Sequence, residues 1–417
     1  MTATSHETGA QRTTATNSEG GYRIESVLPG VYDIAVSAAG FETAVQKDLV
    51  VPGTSIVTAN ALLKVGKTNE VIEVTADNAQ VNTDNGQISE TLGLVEIKSL
   101  PIASLSPYEL ALTLPGVNPT TQGAFSNGVN FDVGGGRSRA NNFLIEGQDN
   151  NDAGIGGQGL QPENLEAYDQ VQVISNNYTA EFGHGAGSVS NMLLKSGSNE
   201  FHGAIYERLQ NSSLDAVDKN DHFNDVPIKT KYRENMPGFA IGGPVIRKKV
   251  FFFGSYQWDY YRSSANLAVL DIPTTAGLAT LNALPTNSRL ANLLKAWGNL
   301  VGTVNPLNEQ PSVPLGPDPN TGLDRGTVEV GTVQRNLGAD TNSPELDLTG
   351  DYLMTRKDTL RLHLIRTSFL APFDVFNFNA QLPGFDTDQN GTAYNAGIVE
   401  THVFSPTLVN DVRLSYG

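Results

Sequence analysis

The sequence predicts a mainly β protein: a partial N-terminal β-sandwich, a central α+β domain, and the first about seven strands of an incomplete antiparallel transmembrane β-barrel. Three observations predict it. Past Glu200, apolar and polar residues alternate in runs of about ten. The links between those runs are long and short by turns. Between Asn142 and Asn211, short β-branched runs (Val171 to Ile174, Val189 to Leu194) are broken by glycines at 183, 185, 187 and 197, the pattern of a compact β-rich unit with tight bends. This last stretch joins small modules before it to long amphipathic strands after it.

The totals narrow the choice of function. A chain of 417 residues is too long for one ordinary domain. Its charge, 27 minus 44 or −17, opposes a nucleic-acid partner, because phosphate binding needs a basic face. An acidic, well-solvated surface explains it. The absence of cysteine excludes disulfides, thiolate metal sites and cysteine catalysis. No run of about 18 apolar residues exists, so no transmembrane helix is expected, whereas barrel strands are short and only half apolar. The opening MTATSHETGAQRTTATNSEG has neither a basic n-region nor an apolar h-region. The expectation is either a cytosolic protein or a natural start further upstream.

Residues 1–66 are expected to form a small sandwich. YRIESV and YDIAVSAAGF are short strands parted by Leu28-Pro29-Gly30, where Pro fixes φ and Gly accepts positive φ. TANALLKV closes the module before Gly66. Residues 67–80 make a linker with one β-prone hexad, Val71 to Ala76, which taken alone is an ordinary edge strand. Residues 81–197 carry short strands, Gly turns and one expected helix. That helix starts at Ser106-Pro107, with Ser as cap and Pro at the first position, and stops before Pro115-Gly116.

No catalytic or cofactor constellation appears. Gly154-Ile155-Gly156-Gly157-Gln158-Gly159 satisfies GxGxxG, but GQDNNDA precedes it and Pro162 follows, so the strand and helix that a dinucleotide site needs are missing. A flexible loop is expected. Asp149 and Asp152 lack the spacing of a calcium loop, the six histidines lack metal-ligand spacing, and no nucleophile elbow is present. No enzyme, cofactor or metal centre is expected.

Residues 198–417 carry the most informative periodicity. Val250, Phe252, Gly254, Tyr256, Trp258 and Tyr260 share one parity, and Ser255, Gln257 and Asp259 the other. Leu346, Leu348 and Tyr352 alternate with Asp347, Thr349 and Asp351; Leu360, Leu362 and Leu364 with Arg361 and His363; Val412, Leu414 and Tyr416 with Asp411, Arg413 and Ser415. A soluble sandwich shows the same alternation, so the connections decide. Strands are expected near 201–210, 235–245, 249–261, 344–354, 359–369, 393–404 and 407–417. Their short links are IRKK, RKD and SPT; the longest holds a partly helical insert and a Pro/Gly-rich segment. Tight turns alternating with long loops are the outer-membrane pattern. An open sheet edge in hydrocarbon costs several kcal/mol per unpaired group, so a larger closed barrel is expected.

Several motifs resemble known families. EGGYRIESVLPGVYDIAVSAAGFET resembles the second half of the carboxypeptidase-regulatory-like domain, whose first strands are then expected upstream. Glu70, Val71, Ile72, Glu73, Val74, Thr75 and Ala76 resemble a TonB box, a segment that adds as a strand to a periplasmic partner. Residues 81–197 resemble the plug domain of TonB-dependent receptors, in particular the Oar-like group, through Gly135, Gly136 and Arg137, then Asn141 and Asn142 leading to Glu146 and Gly147. NYTAEFG, with Glu181 and Gly183, and KSGSNEFHG continue the match, as does GFAIGGPVIRKKVFFFGSYQW in the barrel part. The group usually has Asp at Glu146 and Arg at His184.

The resemblance implies a barrel of about 22 strands around a plug, in the outer membrane of a Gram-negative bacterium. It implies import of a bulky solute (siderophore, oligosaccharide or peptide) powered by TonB with ExbB and ExbD. A role in surface organisation is also open to Oar-like proteins. A second class fits the same strands: a secreted or surface-exposed all-β adhesion protein with a carbohydrate-binding sandwich. That protein would be water-soluble, whereas a barrel demands detergent.

Overall fold

The computed structural model describes the chain apart from residues 25–26, 54–56, 67–70, 76–85, 101–104, 121–126, 184, 217–221, 224–225, 228–230, 285–291, 293–295, 297–312, 318–321, 323, 325, 339, 372–387 and 406–407. The N-terminal sheet contains β1 (Thr2–Ser5), β2 (Gln11–Thr13), β3 (Gly30–Val36), β4 (Thr43–Val51) and β5 (Val71–Thr75) in the order β2-β1-β3-β4-β5. All neighbours are antiparallel except β4 and β5, which run parallel.

Tyr32, Ile34 and Val36 alternate along β3 into a core with Ala3, Leu49 and Ala59. Among the described residues, the expected strands at 22–27 and 58–65 form no ladder strand, and residues 25–26 lie outside the described ones. Chain around Tyr22–Ile24 and Val57–Leu63 instead covers the sheet's inner face as extended coil, joined by the Tyr22 hydroxyl donating to Ala59 O. Strands β1, β2 and β4 lie beyond those the sequence predicts. A bulge between Tyr32 and Ile34, with Asp48 opposite at φ 58, interrupts the alternation that would otherwise disclose β4.

The central unit is a sheet in the order β10-β9-β12-β11-β6, built from β6 (Ile88–Leu92), β9 (Asn142–Ile145), β10 (Gln148–Asp149), β11 (Tyr168–Asn176) and β12 (Val189–Leu194). The helix α1 (Leu94–Ser99) and a small ladder of β7 (Val117–Pro119) with β8 (Phe131–Val133) pack beside it. All residues of β9 and β12 are buried, as expected of strands covered on both faces. The expected helix at 106–112 is a 3-10 helix, Pro107–Thr113, with Glu109 N donating to Ser106 O at 2.9 Å and Leu114 N to Ala111 O at 3.1 Å. A segment of seven residues that opens on Pro107 and stops before Pro115 favours the tighter turn.

The GxGxxG segment is a loop, but a pinned one. Asn127 N donates to Gly156 O at 2.8 Å, Gln158 N to Asn127 O at 3.1 Å and Asp152 N to Gly157 O at 2.9 Å.

The barrel part is a meander. Strands β13 (His202–Asn211), β16 (Tyr232–Ile246), β17 (Val250–Gln257), β23 (Glu345–Leu353), β24 (Asp358–Ala371), β25 (Gln389–Ser405) and β26 (Leu408–Tyr416) follow one another, each antiparallel to the next. Beyond the β17 end, β18 (Tyr260–Pro273) continues upward and pairs with β21 (Val330–Gly338) and β22 (Thr341–Asn342). The small ladders β14 (His222–Phe223) with β15 (Val226–Pro227), and β19 (Val313–Pro314) with β20 (Thr327–Val328), belong to the long links, as does α2 (Thr275–Ala283). The rest of the expected helical insert lies largely outside the described residues.

Short turns and long links alternate as the sequence predicts. Leu348 and Leu362 face outward while Asp347, Thr349, Asp351 and His363 are buried on the inner face. No helix is long and apolar enough to cross a membrane, which says nothing about strands.

Candidate functional site

The inner face of the barrel wall grips the central unit along one strand. On β23, Glu345, Asp347, Thr349 and Asp351 recur every second residue and point inward, each to a different group of the central unit. Glu345 Oε2 accepts from Glu163 N at 2.8 Å, and Asp347 Oδ2 from Asn164 Nδ2 at 2.9 Å. Thr349 Oγ1 donates to Lys195 O at 2.7 Å, and Asp351 accepts from the Ser196 hydroxyl. Asn164 ties to three wall residues: its Nδ2 also reaches Ser255 Oγ at 3.1 Å, and its Oδ1 accepts from Tyr206 OH at 2.7 Å.

At the end of this ladder stands Arg361 of β24. Its Nε and Nη2 donate to the two oxygens of Glu146 at 2.8 and 2.9 Å, its Nη1 to Asp351 at 2.8 Å, and Nη2 also to Leu194 O at 2.8 Å. Glu146 is placed by its backbone. It and Gly147 form the two-residue turn between β9 and β10, with φ of 54° and 70°, the left-handed pair of a type I′ hairpin. Burial alone would raise the Glu146 carboxyl. The Arg361 guanidinium, by charge and by its two hydrogen bonds, then His363 and the Leu194 N–H, hold it below the usual carboxylate range. A second junction gathers at Glu166, whose Oε2 lies 2.8 Å from Lys98 Nζ and 3.3 Å from Lys195 Nζ.

The other motif residues divide into structural and exposed ones. Gly135, at φ 77, makes the turn after β8; Gly136 N donates to Val133 O at 3.0 Å, and the exposed Arg137 precedes a 3-10 turn, Ser138–Ala140. Asn141 donates to Phe131 O at 2.7 Å, and Asn142 to Gly183 O at 2.8 Å, so both buried amides tie loops to the central sheet. Glu181 is exposed and accepts from Thr179 Oγ1 at 3.1 Å. The structure thus brings Glu146 and Gly147 to the wall, and Glu181 borders the same cavity as the wall residues Arg361 and Arg413. His184 lies outside the described residues. Of the TonB-box candidate, Val71 to Thr75 form β5, and Glu70 and Ala76 lie outside the described residues.

Sequence reasoning missed two features of this seam. Ile365 is fully buried on the inner face of β24 and joins the core of the central unit with Phe143 and Tyr168; its signal in the sequence is an apolar residue on the polar parity of that strand. The N-terminal sheet also docks onto the wall's turns. Arg12 Nη1 donates to Thr355 O at 3.2 Å and Nη2 to Thr359 Oγ1 at 2.6 Å, while Asn199 N donates to Glu7 O at 3.0 Å.

Among the described residues, two groups of metal-ligand types assemble across strands, where spacing along the chain could not show them: His6 with Asp33 and Asp48, and His402 with Asp358 and Glu400. In each the histidine already hydrogen-bonds an aspartate, His6 Nε2 to Asp33 Oδ1 at 2.8 Å and His402 Nδ1 to Asp358 Oδ1.

Comparison with known proteins accords with this architecture. The family model "Outer membrane beta barrel domain" matches residues 193–417, and "Carboxypeptidase regulatory-like domain" matches residues 1–64. A TonB-dependent transporter, Oar, of Myxococcus xanthus is 24% identical over 266 residues, covering 63% of this chain and 25% of the relative. The chain thus spans about a quarter of that relative's length. Among solved structures, the outer membrane transporter YddB from Escherichia coli aligns at 12% identity with a TM-score of 0.46, over 76% of this chain and 37% of that one. A ferric enterobactin receptor mutant from Pseudomonas aeruginosa, in complex with enterobactin, aligns at 14% identity with a TM-score of 0.47, over 80% of this chain and 41% of that one. With wall strands that match over half of its length, the chain belongs to the outer membrane beta barrel family.

Proposed function

We propose that the protein containing this chain binds a bulky solute from outside the cell and imports it through the barrel, with energy transmitted by TonB from ExbB and ExbD. In this reading residues 1–66, 81–197 and 198–417 act as regulatory-like sandwich, plug and barrel, and Glu70 to Ala76 as the coupling segment. The plug–wall ladder is the observation that carries it. A plug held by hydrogen bonds at one rung after another closes the pore at rest, and such bonds open one at a time under a directed pull more easily than an apolar seam of the same area. Siderophore, oligosaccharide and peptide are the three solute classes to screen.

The test uses the full-length protein extracted from outer membranes into mild detergent, which leaves its periplasmic face accessible. Immobilised periplasmic domain of TonB should retain it, and deletion of residues 70–76 should abolish retention while the barrel keeps its heat-modifiable migration on gels. A deletion variant retained as well as the parent would overturn the coupling assignment.

A further inference from the structure

We infer that His6, Asp33 and Asp48 form a site for one divalent transition-metal ion on the outer face of the N-terminal sheet. The site is independent of the import reading. Its donors come from three neighbouring strands: His6 directly follows β1, Asp33 lies in β3 and Asp48 in β4. The ligand-type atoms of the three side chains all lie within 4.8 Å of one another.

The sheet explains how they meet. Ser5 and Tyr32 are paired and both buried, so their chain neighbours His6 and Asp33 turn to the opposite, solvent-facing side. On β4, Leu49 pairs with Tyr32 and Gln46 with Ile34, which leaves Lys47 and Asp48 together opposite Asp33. This is a bulge, and Asp48 enters it with φ 58, a left-handed conformation that Asp tolerates better than most residues. The extra residue re-aims the Asp48 side chain, as bulges do, and Asp48 N donates to Asp33 Oδ1 at 3.2 Å. The bulge thus brings the second carboxylate to the imidazole, which a regular ladder would not.

The donor set selects the ion. Two carboxylates offset a divalent charge, and an imidazole nitrogen favours zinc-like ions over calcium and magnesium, which take oxygen. His6 Nε2 lies 2.8 Å from Asp33 Oδ1, and Nδ1 lies 3.9 Å from Asp48 Oδ1. Donors about 2.0–2.1 Å from a tetrahedral zinc ion stand about 3.3 Å apart, so the observed separations straddle the spacing required. Among the described residues, Asp33 Oδ2 and both side-chain oxygens of Asp48 accept no hydrogen bond, which leaves lone pairs for an ion. Three protein donors leave a fourth position for water. An ion held here would tie β1, β3 and β4 together where the bulge interrupts their ladder. In the other group, Asp358 is also engaged by the Thr355 hydroxyl, within the turn before β24.

The test titrates zinc chloride by calorimetry into the full-length protein in mild detergent, after chelator treatment. The parent should bind one more zinc ion per molecule than His6→Ala. The same difference should persist in a His402→Ala background, which removes the other group's imidazole. Asp48→Asn keeps a side chain that accepts the left-handed backbone, yet it should weaken zinc binding roughly tenfold or more. Zinc should also slow amide exchange in β3 and β4 of the parent and not of His6→Ala. Equal zinc stoichiometry and affinity in the parent and His6→Ala would overturn the site. Should His6→Ala fail to assemble, unchanged zinc affinity in Asp48→Asn would overturn it equally. Zinc bound by the parent without any effect on exchange in β3 and β4 would place the ion elsewhere and sink the proposal.

Discussion

Arg361 on the barrel wall and Glu146 at a hairpin tip of the plug share two hydrogen bonds, 2.8 and 2.9 Å long, in a fork that joins the two parts. Asp351 shares the same guanidinium at 2.8 Å, so one cation serves two buried carboxylates. Arg361→Met would leave both without this partner, and breaking such a buried group costs about 3–5 kcal/mol. The full-length variant should keep its barrel yet expose its plug to limited proteolysis at lower denaturant. Arg361→Lys should recover only part of the loss, because an ammonium lacks the planar fork. Equal protease resistance in Arg361→Met and the parent would refute this role.

The same pair sets a direction for pH. Arg361 holds the Glu146 carboxyl below its ordinary value in the folded protein, against the opposing effect of burial. A depressed folded value means the pair's contribution is fully present above the unfolded carboxylate range, near about pH 4.3, and is lost as pH falls through the folded value. This pair's own contribution to plug seating should therefore stay flat from about pH 5 to 8 and weaken in stronger acid. Glu146→Gln should be weaker at neutral pH and lose that acid-dependent limb. An acid limb of unchanged size in Glu146→Gln would assign the effect to other carboxylates.

Neighbouring residues on β24 should respond oppositely to the same kind of change. Leu362 is 42% exposed on the outward face, whereas Ile365 is fully buried among plug residues. Leu362→Arg should cost about 2–4 kcal/mol near the bilayer midplane, measured as barrel unfolding in lipid, with plug protection unchanged. Ile365→Ala should cost about 2–5 kcal/mol in plug seating and leave the barrel's own stability nearly intact. Barrel destabilisation by Ile365→Ala with an unaffected plug would reverse the faces assigned here.

These faces were legible in the sequence because alternation of Leu346, Leu348 and Tyr352 with Asp347, Thr349 and Asp351 is a local property, and so are short turns such as IRKK. The partners of the inward residues were not legible. Glu345 meets Glu163 and Arg361 meets Glu146 across long sequence separations, and no local pattern encodes which inward carboxylate faces which plug group. Glu146 stood out in the sequence only as a departure from Asp; its role became clear from the positive φ and buried carboxylate together. The N-terminal module was harder to read for a related reason. A bulge hid β4, and the covering layer gains its stability from apolar burial rather than from a ladder that alternation would reveal.

Two glycines give a last contrast, between strain that a side chain can relieve and strain that it cannot. Gly147 has φ +70, and an added Cβ would come to 2.8 Å from Arg413 Nη1, the far end of a flexible side chain that can move away. Gly147→Ala should therefore cost only the left-handed backbone penalty, about 1–2 kcal/mol, and Gly147→Asn less. Gly157 has φ +85, and its Cβ would run into the backbone oxygen of Asn127, well inside contact distance. That oxygen cannot retreat freely, because it accepts from Gln158 N at 3.1 Å and Asn127 N donates to Gly156 O at 2.8 Å. Gly157→Ala should break this clasp and open residues 152–159 to protease under native conditions, where Gly147→Ala leaves them protected. Equal protection of that loop in both variants would mean that the clasp does not fix it.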